Sequence, residues 1–176
     1  MHEILLSTPR FTVERRTYPE AGSASLVREF VVHRGAVVIL PVLDDGRIVL
    51  IRQLRRGVGE WLDELPAGTR EPHEPPEQTA ARELIEETGY EAACIAQLLD
   101  FYTSPGIITE RMFAFLATGL QPVGQKLEAG ETIEVTPRRP DEVWAMLAGG
   151  QFRDGKTIAV LGTYFLRQHG KVTHGL

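Results

Sequence analysis

Residues 68–90 read GTREPHEPPEQTAARELIEETGY, and the rest of the chain is organised around this stretch. The protein holds 24 Asp plus Glu against 19 Lys plus Arg. Seven of those acids (Glu71, Glu74, Glu77, Glu83, Glu86, Glu87 and Glu91) and one base, Arg82, lie between positions 71 and 91, which leaves 17 acids against 18 bases elsewhere. The net charge of −5 therefore resides in one segment. Its middle reads as a helix. Pro75 and Pro76 suit a first turn, whose N–H groups lack helical partners, and Glu74 and Glu77 lie where the helix dipole favours anions. The run Ala80–Glu87 is mostly good helix formers, and Gly89 sits where a left-handed cap is wanted. At about 100° per residue, Ala81, Leu84, Ile85 and Thr88 gather on one side. Glu83, Glu86 and Glu87 fall nearly opposite.

Like charges three and four residues apart destabilise a helix by a few tenths of a kcal/mol per pair. The segment is thus either a solvated acidic face or a site for hard divalent cations, which take oxygen ligands and pair one or two carboxylates with substrate phosphates. The three residues alone leave both readings open. Gly68, five residues, Glu74, seven residues, Arg82-Glu83-Leu84, one residue, Glu86-Glu87, one residue, Gly89-Tyr90 resembles the signature of the Nudix hydrolase family.

The resemblance implies an α+β fold of the α/β class, an α/β/α sandwich with a mixed sheet. It implies a core from residue 34 to 176 and a hairpin region at 1–33, which in similar proteins serves a homodimer. For the metal, Mg²⁺ (or Mn²⁺ or another divalent cation), it implies Glu83 and Glu87 as principal ligands. Glu86 would be a secondary one, and the carbonyl of Ala67 would contribute. Arg82 would orient a signature glutamate, with Gly68 and Glu74 in support. In the segment GETIEV the resemblance points to Glu131 as the group that contacts metal or activates water, with Glu128 as the alternative. Arg55, in a strand segment RQLR, would contact substrate. Pro105 lies 16 residues after Gly89, and Ser-Pro-Gly followed by Glu110-Arg111 resembles the subgroup that acts on ADP-ribose. Pro105, Gly106 and Glu110 are substrate-side candidates on that ground. One position departs from close relatives: His73 stands where EPGE-type loops carry glycine.

The remaining readings come from the residues themselves. A chain of 176 residues that is 43% hydrophobic supports one sizeable core. The single Cys94 rules out an internal disulfide and reads as a small buried hydrophobe. No run approaches the ~18 apolar residues of a membrane helix, and the N-terminus lacks the features of a signal peptide; a cytoplasmic protein is expected. The acidic balance argues against nucleic acid, which needs a basic footprint, but not against a small nucleoside diphosphate, since bound metal reverses local charge.

Strands are expected at 11–18 and 25–33, pairing as a hairpin. The apolar run 35–43 suits a strand covered on both faces, and Asp44-Asp45-Gly46 makes a turn back into 47–55 as its partner. Further strands are expected at 92–102, 110–118 and 133–136, with helices at 140–147 and 156–169. Arg52 reads as a surface charge. Glu64 faces either a basic group or the site. The expected activity is cation-dependent hydrolysis of a pyrophosphate linked to a nucleoside, with ADP-ribose to AMP and ribose 5-phosphate as the leading case. Another nucleotide sugar, a dinucleotide, or a non-catalytic ADP-ribose sensor are the alternatives.

Overall fold

A computed structural model describes residues 2–20, 22, 24–127 and 130–170. The centre is strand β4 (Ala36–Pro41), buried along its whole length. Its side chains alternate between two cores. Ala36, Val38 and Leu40 join Ile48, Leu50, Leu65, Val143 and Leu161 in one cluster. Val37 and Ile39 join Val49, Ala80, Leu84 and Phe115 in the other. A strand covered on both sides has no polar face to alternate with, which is why it reads as an unbroken apolar run.

Two sheets make the middle layer. One has the order β7-β4-β9-β8, with β7 at Ala67–Thr69, β8 at Tyr90–Tyr102 and β9 at Arg111–Pro122. In it β4 runs parallel to β9, while β4–β7 and β8–β9 are antiparallel, so the sheet is mixed. The other is antiparallel, β10-β5-β6, with β5 at Ile48–Arg55, β6 at Glu60–Glu64 and β10 at Ile133–Arg138. Helix α1 (Pro76–Thr88) contributes Ala80 and Leu84 to one core. Helices α2 (Pro140–Ala148) and α3 (Gly155–Gly170) contribute Val143, Val160, Leu161 and Phe165 to the other. This is the expected α/β/α arrangement. Among the described residues no helix is long and apolar enough to cross a membrane.

Three local expectations need correction. The turn at 44–46 forms, with Gly46 N–H on the Leu43 carbonyl at 2.8 Å, but β4 and β5 are not hairpin partners. They share only an isolated Val42–Ile48 bridge and then enter different sheets. Two strands that are apolar on both faces carry no pattern to say which neighbour each will take. The N-terminal hairpin is instead a three-stranded antiparallel sheet, β1 (His2–Ser7), β2 (Thr12–Tyr18) and β3 (Leu26–Val32). Strand β1 is exposed at every residue, so no burial rhythm marks it. Cys94 is exposed rather than buried, because β8 is an edge strand with one open side.

The approach to α1 explains the odd position in the signature loop. His73 has φ 67°, the one described non-glycine residue in the left-handed region. A side chain there costs roughly 1–2 kcal/mol, a strain glycine does not feel. His73→Gly is expected to raise stability by about 1 kcal/mol, seen as a melting temperature up by about 2–4 °C. A variant that melts lower than the parent would show the imidazole to hold the loop. At the other end of the helix, Gly89 has φ 72°, and a Cβ there would stand 2.7 Å from the Gln125 backbone nitrogen. Both reasons require glycine.

Candidate active site

Helix α1 buries Thr79, Ala80, Leu84, Glu87 and Thr88. Ala80, Leu84 and Glu87 are spaced i, i+4, i+7, so Glu87 belongs to the covered face rather than to a wet one opposite it. The structure corrects the expectation that all three glutamates point away from the apolar side. Glu87 is 3% exposed, and its Oε2 accepts the N–H of Ala67 at 2.7 Å. That bond fastens the helix to the short strand β7.

Burial pushes the Glu87 carboxyl up to about 8, helped by the charges of Glu83 and Glu131 and opposed by the Ala67 N–H and by Arg55. The unfolded carboxyl titrates near 4.5, so the folded, metal-free protein holds an extra proton between those values. The stability this gives is complete below about 4.5 and is lost as pH rises through about 8. Thermal melts in chelator are therefore expected to fall in midpoint from about pH 5 to 8.5, and a saturating divalent cation should flatten the slope. A level midpoint in chelator across that range would contradict the burial of Glu87.

Arg82 is the hub of the signature. One terminal nitrogen donates to Glu83 Oε1 and to Glu86 Oε2, each at 2.8 Å. The rest of the guanidinium grips Glu74, with Nε on Oε1 at 3.2 Å and Nη2 on Oε2 at 3.1 Å. Glu74 also accepts the Thr79 hydroxyl at 2.8 Å. The Arg82 bond, against a raising effect of burial, holds Glu74 down at about 2. Burial tends to lower Arg82, but Glu74, Glu83 and Glu86 outweigh it and keep it protonated. Thus one cation spaces three acids and ties the loop to the helix.

Gly68 has a different task. A Cβ placed on it would lie 1.9 Å from Glu83 Cδ, so the Glu83 carboxylate occupies the space a side chain would take. Glu83, Glu86, Glu87 and the Ala67 backbone offer oxygen donors beside this cradle, the set a hard divalent cation prefers. Among the described residues no three acidic, imidazole or thiol groups converge closely enough to hold an ion as placed. Glu83 and Glu86 are drawn to Arg82, and Glu87 to the Ala67 N–H.

Beside the cradle opens a cleft of about 1170 Å³. Ala67 and Gly68 line it from the signature, Arg55 from β5, Glu110 from the start of β9 and Glu131 from the loop before β10. Pro105 and Gly106 are not among its lining residues; they lie on an exposed turn. The turn is bound instead to β3, with Val31 N–H on the Ile107 carbonyl at 2.8 Å. Glu110 accepts the Thr103 hydroxyl at 2.8 Å and lies 3.2 Å from His33 Nδ1. Glu128 lies outside the described residues. Arg52 is exposed, as expected, and stands opposite Glu134 in the β5–β10 ladder.

The open question about Glu64 is answered by packing. It is fully buried, and Arg55 grips it with two bonds, 2.7 Å from Nε to Oε1 and 2.6 Å from Nη2 to Oε2. Lys156 at the start of α3 also donates to Glu64 and lies 2.9 Å from Asp154. Thr157 completes the group, its hydroxyl accepting the Leu65 N–H at 2.9 Å. Sequence reading missed Lys156 and Asp154, which line the same cleft. The Asp-x-Lys-Thr order at a helix start was the available signal, since Asp154 caps the Thr157 N–H at 2.9 Å.

Compared with known proteins, the chain matches the NUDIX domain over residues 32–161. It is 40% identical over 138 residues to an ADP-ribose pyrophosphatase of Bacillus subtilis (strain 168), covering 77% of this chain and 74% of that protein. It is 34% identical over 173 residues to a GDP-mannose pyrophosphatase of Yersinia pestis (strain Pestoides F), covering 89% of this chain and 86% of the relative. A solved structure described as an ADP compounds hydrolase shares the fold, with a TM-score of 0.83 at 23% identity over 97% of this chain and 93% of that one. The signature helix, the glycine beneath Glu83 and these likenesses agree: the chain belongs to the Nudix hydrolase family.

Proposed function

We propose that the protein hydrolyses the pyrophosphate bond of ADP-ribose, giving AMP and ribose 5-phosphate, with Mg²⁺ or a similar divalent cation held by α1. The observation that carries this reading is the meeting of two unlike walls in one cleft. Glu110 and Glu131 line it as acids beside Ala67 and Gly68, behind which the Glu83 carboxylate packs, and Arg55 on the buried Glu64 brings the positive charge. The 40% identity to an ADP-ribose pyrophosphatase favours ADP-ribose among possible substrates.

Glu83 and Glu87 would hold the cation, with Glu86 and the Ala67 carbonyl contributing. Such a cation neutralises charge on the phosphates and orients the groups that react. Chemistry of this kind depends on positioning and electrostatics rather than on a covalent intermediate. Arg82, fixed by Glu74, sets the separation of Glu83 and Glu86. Arg55 is oriented by Glu64 towards a phosphate. Glu131 takes the proton of the attacking water, its carboxylate near enough to Glu87 for their charges to interact. Glu110 lines the far side of the cleft as a substrate contact.

The 34% identity to a GDP-mannose pyrophosphatase favours a second reading, in which another nucleotide sugar is the substrate. A hydrolysis assay over ADP-ribose, GDP-mannose and ADP-glucose in ¹⁸O-labelled water decides between them and shows which phosphorus is attacked. Activity that survives chelator would overturn the cation-dependent reading. Tight binding of ADP-ribose with Mg²⁺ but no product would make the protein a sensor.

We also propose that the sheet at residues 1–33 joins two copies of the chain. Ile4, 66% exposed, lies on the same face of the sheet as the exposed Tyr18, and Leu6, 50% exposed, lies with Val27 on the other, so apolar side chains are open to solvent on both faces. Apolar surface left open on a sheet marks an interaction site. Sedimentation is expected to show a dimer that Leu6→Glu converts to monomer. A parent protein that sediments as a monomer at micromolar concentration would sink this assignment.

A further inference from the structure

We propose that Gln53 is a substrate contact, its side-chain amide accepting a hydrogen bond from a hydroxyl of the sugar joined to the diphosphate. It would thereby help decide which nucleoside diphosphate derivative is accepted. The inference rests on the pyrophosphatase reading above and names a specificity determinant within the same cleft.

Gln53 is 8% exposed, and its Oε1 is the one buried side-chain nitrogen or oxygen among the described residues that has no hydrogen-bond partner. Native proteins leave such atoms rarely, and each asks for an explanation. A structural amide between strands would find a backbone or side-chain partner. This one has none among the described residues, although it lies in a ladder flanked on both sides, opposite Leu62 of β6 and Ile133 of β10. Alternate residues of a strand share a face, so Gln53 points the same way as Arg55, two residues on. Both line the cleft, as does Glu64, which anchors Arg55; Oε1 itself is closed to solvent, so a ligand reaches it only when the Gln53 side chain turns towards the cleft.

The chemistry of the missing partner follows from the atom that lacks it. Oε1 accepts, so the ligand must bring an O–H or N–H. A diphosphate at neutral pH offers acceptors alone. Next to a phosphate held by Arg55, the nearest donors on a nucleotide sugar are the hydroxyls of the attached sugar. A base amino group stands a further sugar's length away. Were the amide turned the other way, its NH₂ would be the unpartnered group, and a phosphate oxygen would satisfy it. The test separates these cases.

The full-length protein with Mg²⁺ is assayed with ADP-ribose, with its α,β-methylene analogue for binding, and with ADP-ribose analogues that each lack one hydroxyl of the terminal ribose. Gln53→Met keeps the length of the side chain without its polar end. The unliganded variant is expected to melt above the parent, since an unpaired buried acceptor is gone. Its KM for ADP-ribose and its Kd for the methylene analogue should rise about 10-fold with kcat within about twofold. One deoxy analogue should lose about 10-fold with the parent and nothing further with the variant. That comparison with the parent alone stands even if Gln53→Met misfolds. Unchanged KM and Kd in the variant would overturn the proposal, as would a lower melting point accompanying the loss, which is the mark of a structural strut. Deoxy analogues that all behave like ADP-ribose would place the contact on phosphate and overturn the hydroxyl assignment. A parent protein that turns over none of the nucleotide sugars brings down the pyrophosphatase reading and this inference with it. A parent that hydrolyses ADP-ribose while Gln53→Met is indistinguishable from it overturns this inference alone.

Discussion

Glu87→Gln is expected to abolish turnover by about 10³-fold or more while leaving a protein that folds and, without metal, melts higher than the parent at pH 8. The two effects share one cause. A carboxylate only 3% exposed, with Glu83 and Glu131 close enough for their charges to raise it, is unfavourable as an anion. Glutamine has the same shape, keeps an oxygen for the Ala67 N–H, and carries no charge to desolvate. It also cannot offer a cation the negative oxygen that makes binding strong. Several kcal/mol of lost charge stabilisation correspond to three or more decades in rate, at about 1.4 kcal/mol per decade. Steady-state kinetics and melts in chelator at pH 8 give both numbers. A variant with near-parental turnover would remove Glu87 from the cation site. A variant inactive because it melts lower would mean that Glu87 serves the fold alone. Glu83→Gln should lose activity comparably. It should gain less stability, because Glu83 is held by Arg82 at 2.8 Å rather than being the buried acid itself.

Gly68→Ala should lose about 100-fold in turnover with a change in stability under about 1 kcal/mol. The added methyl would enter the space of the Glu83 carboxylate, 1.9 Å from its Cδ. The end of a glutamate side chain can swing away at little cost, so the fold should absorb the change. Swinging away, however, takes Glu83 off the cradle and strains its bond to Arg82. If Glu83 holds the cation as proposed, misplacing it by an ångström is enough for a loss of this size. Titration with Mg²⁺, followed by melting temperature, should show weaker cation affinity in step with the loss of turnover. Unchanged cation affinity and unchanged kcat would mean that the close approach of Gly68 and Glu83 has no part in the site.

Much of this molecule can be read along the chain because its central features are local. The helix of residues 76–88 is written in its proline start, its glycine stop and the spacing between them. Arg82, Glu83 and Glu86 lie on that one helix, so knowing the helix is knowing that they meet. At His73 the sequence marked a departure from glycine, while the strain itself, φ 67°, is a finding of the structure. What spacing could not say is which side of the helix is covered. The apolar count pointed to Ala81, Leu84, Ile85 and Thr88; packing buries Leu84 and Thr88 as expected, but takes Thr79, Ala80 and the acid Glu87 in place of Ala81 and Ile85. Periodicity weighs residues by polarity, and a buried carboxylate is counted on the wrong side.

The sequence by itself determined the signature helix and, through the resemblance that its 23 residues carry, the Nudix family and its hydrolytic chemistry, because that signature is one continuous stretch of chain. Only the tertiary structure decided that β4 and β5 part into different sheets, that Glu64 is the buried anchor of Arg55 and Lys156, and that Pro105 and Gly106 stand outside the cleft. Those facts depend on contacts between residues far apart in the chain. Strands apolar on both faces, and charges free to choose among several partners, leave such contacts to be settled when the layers close.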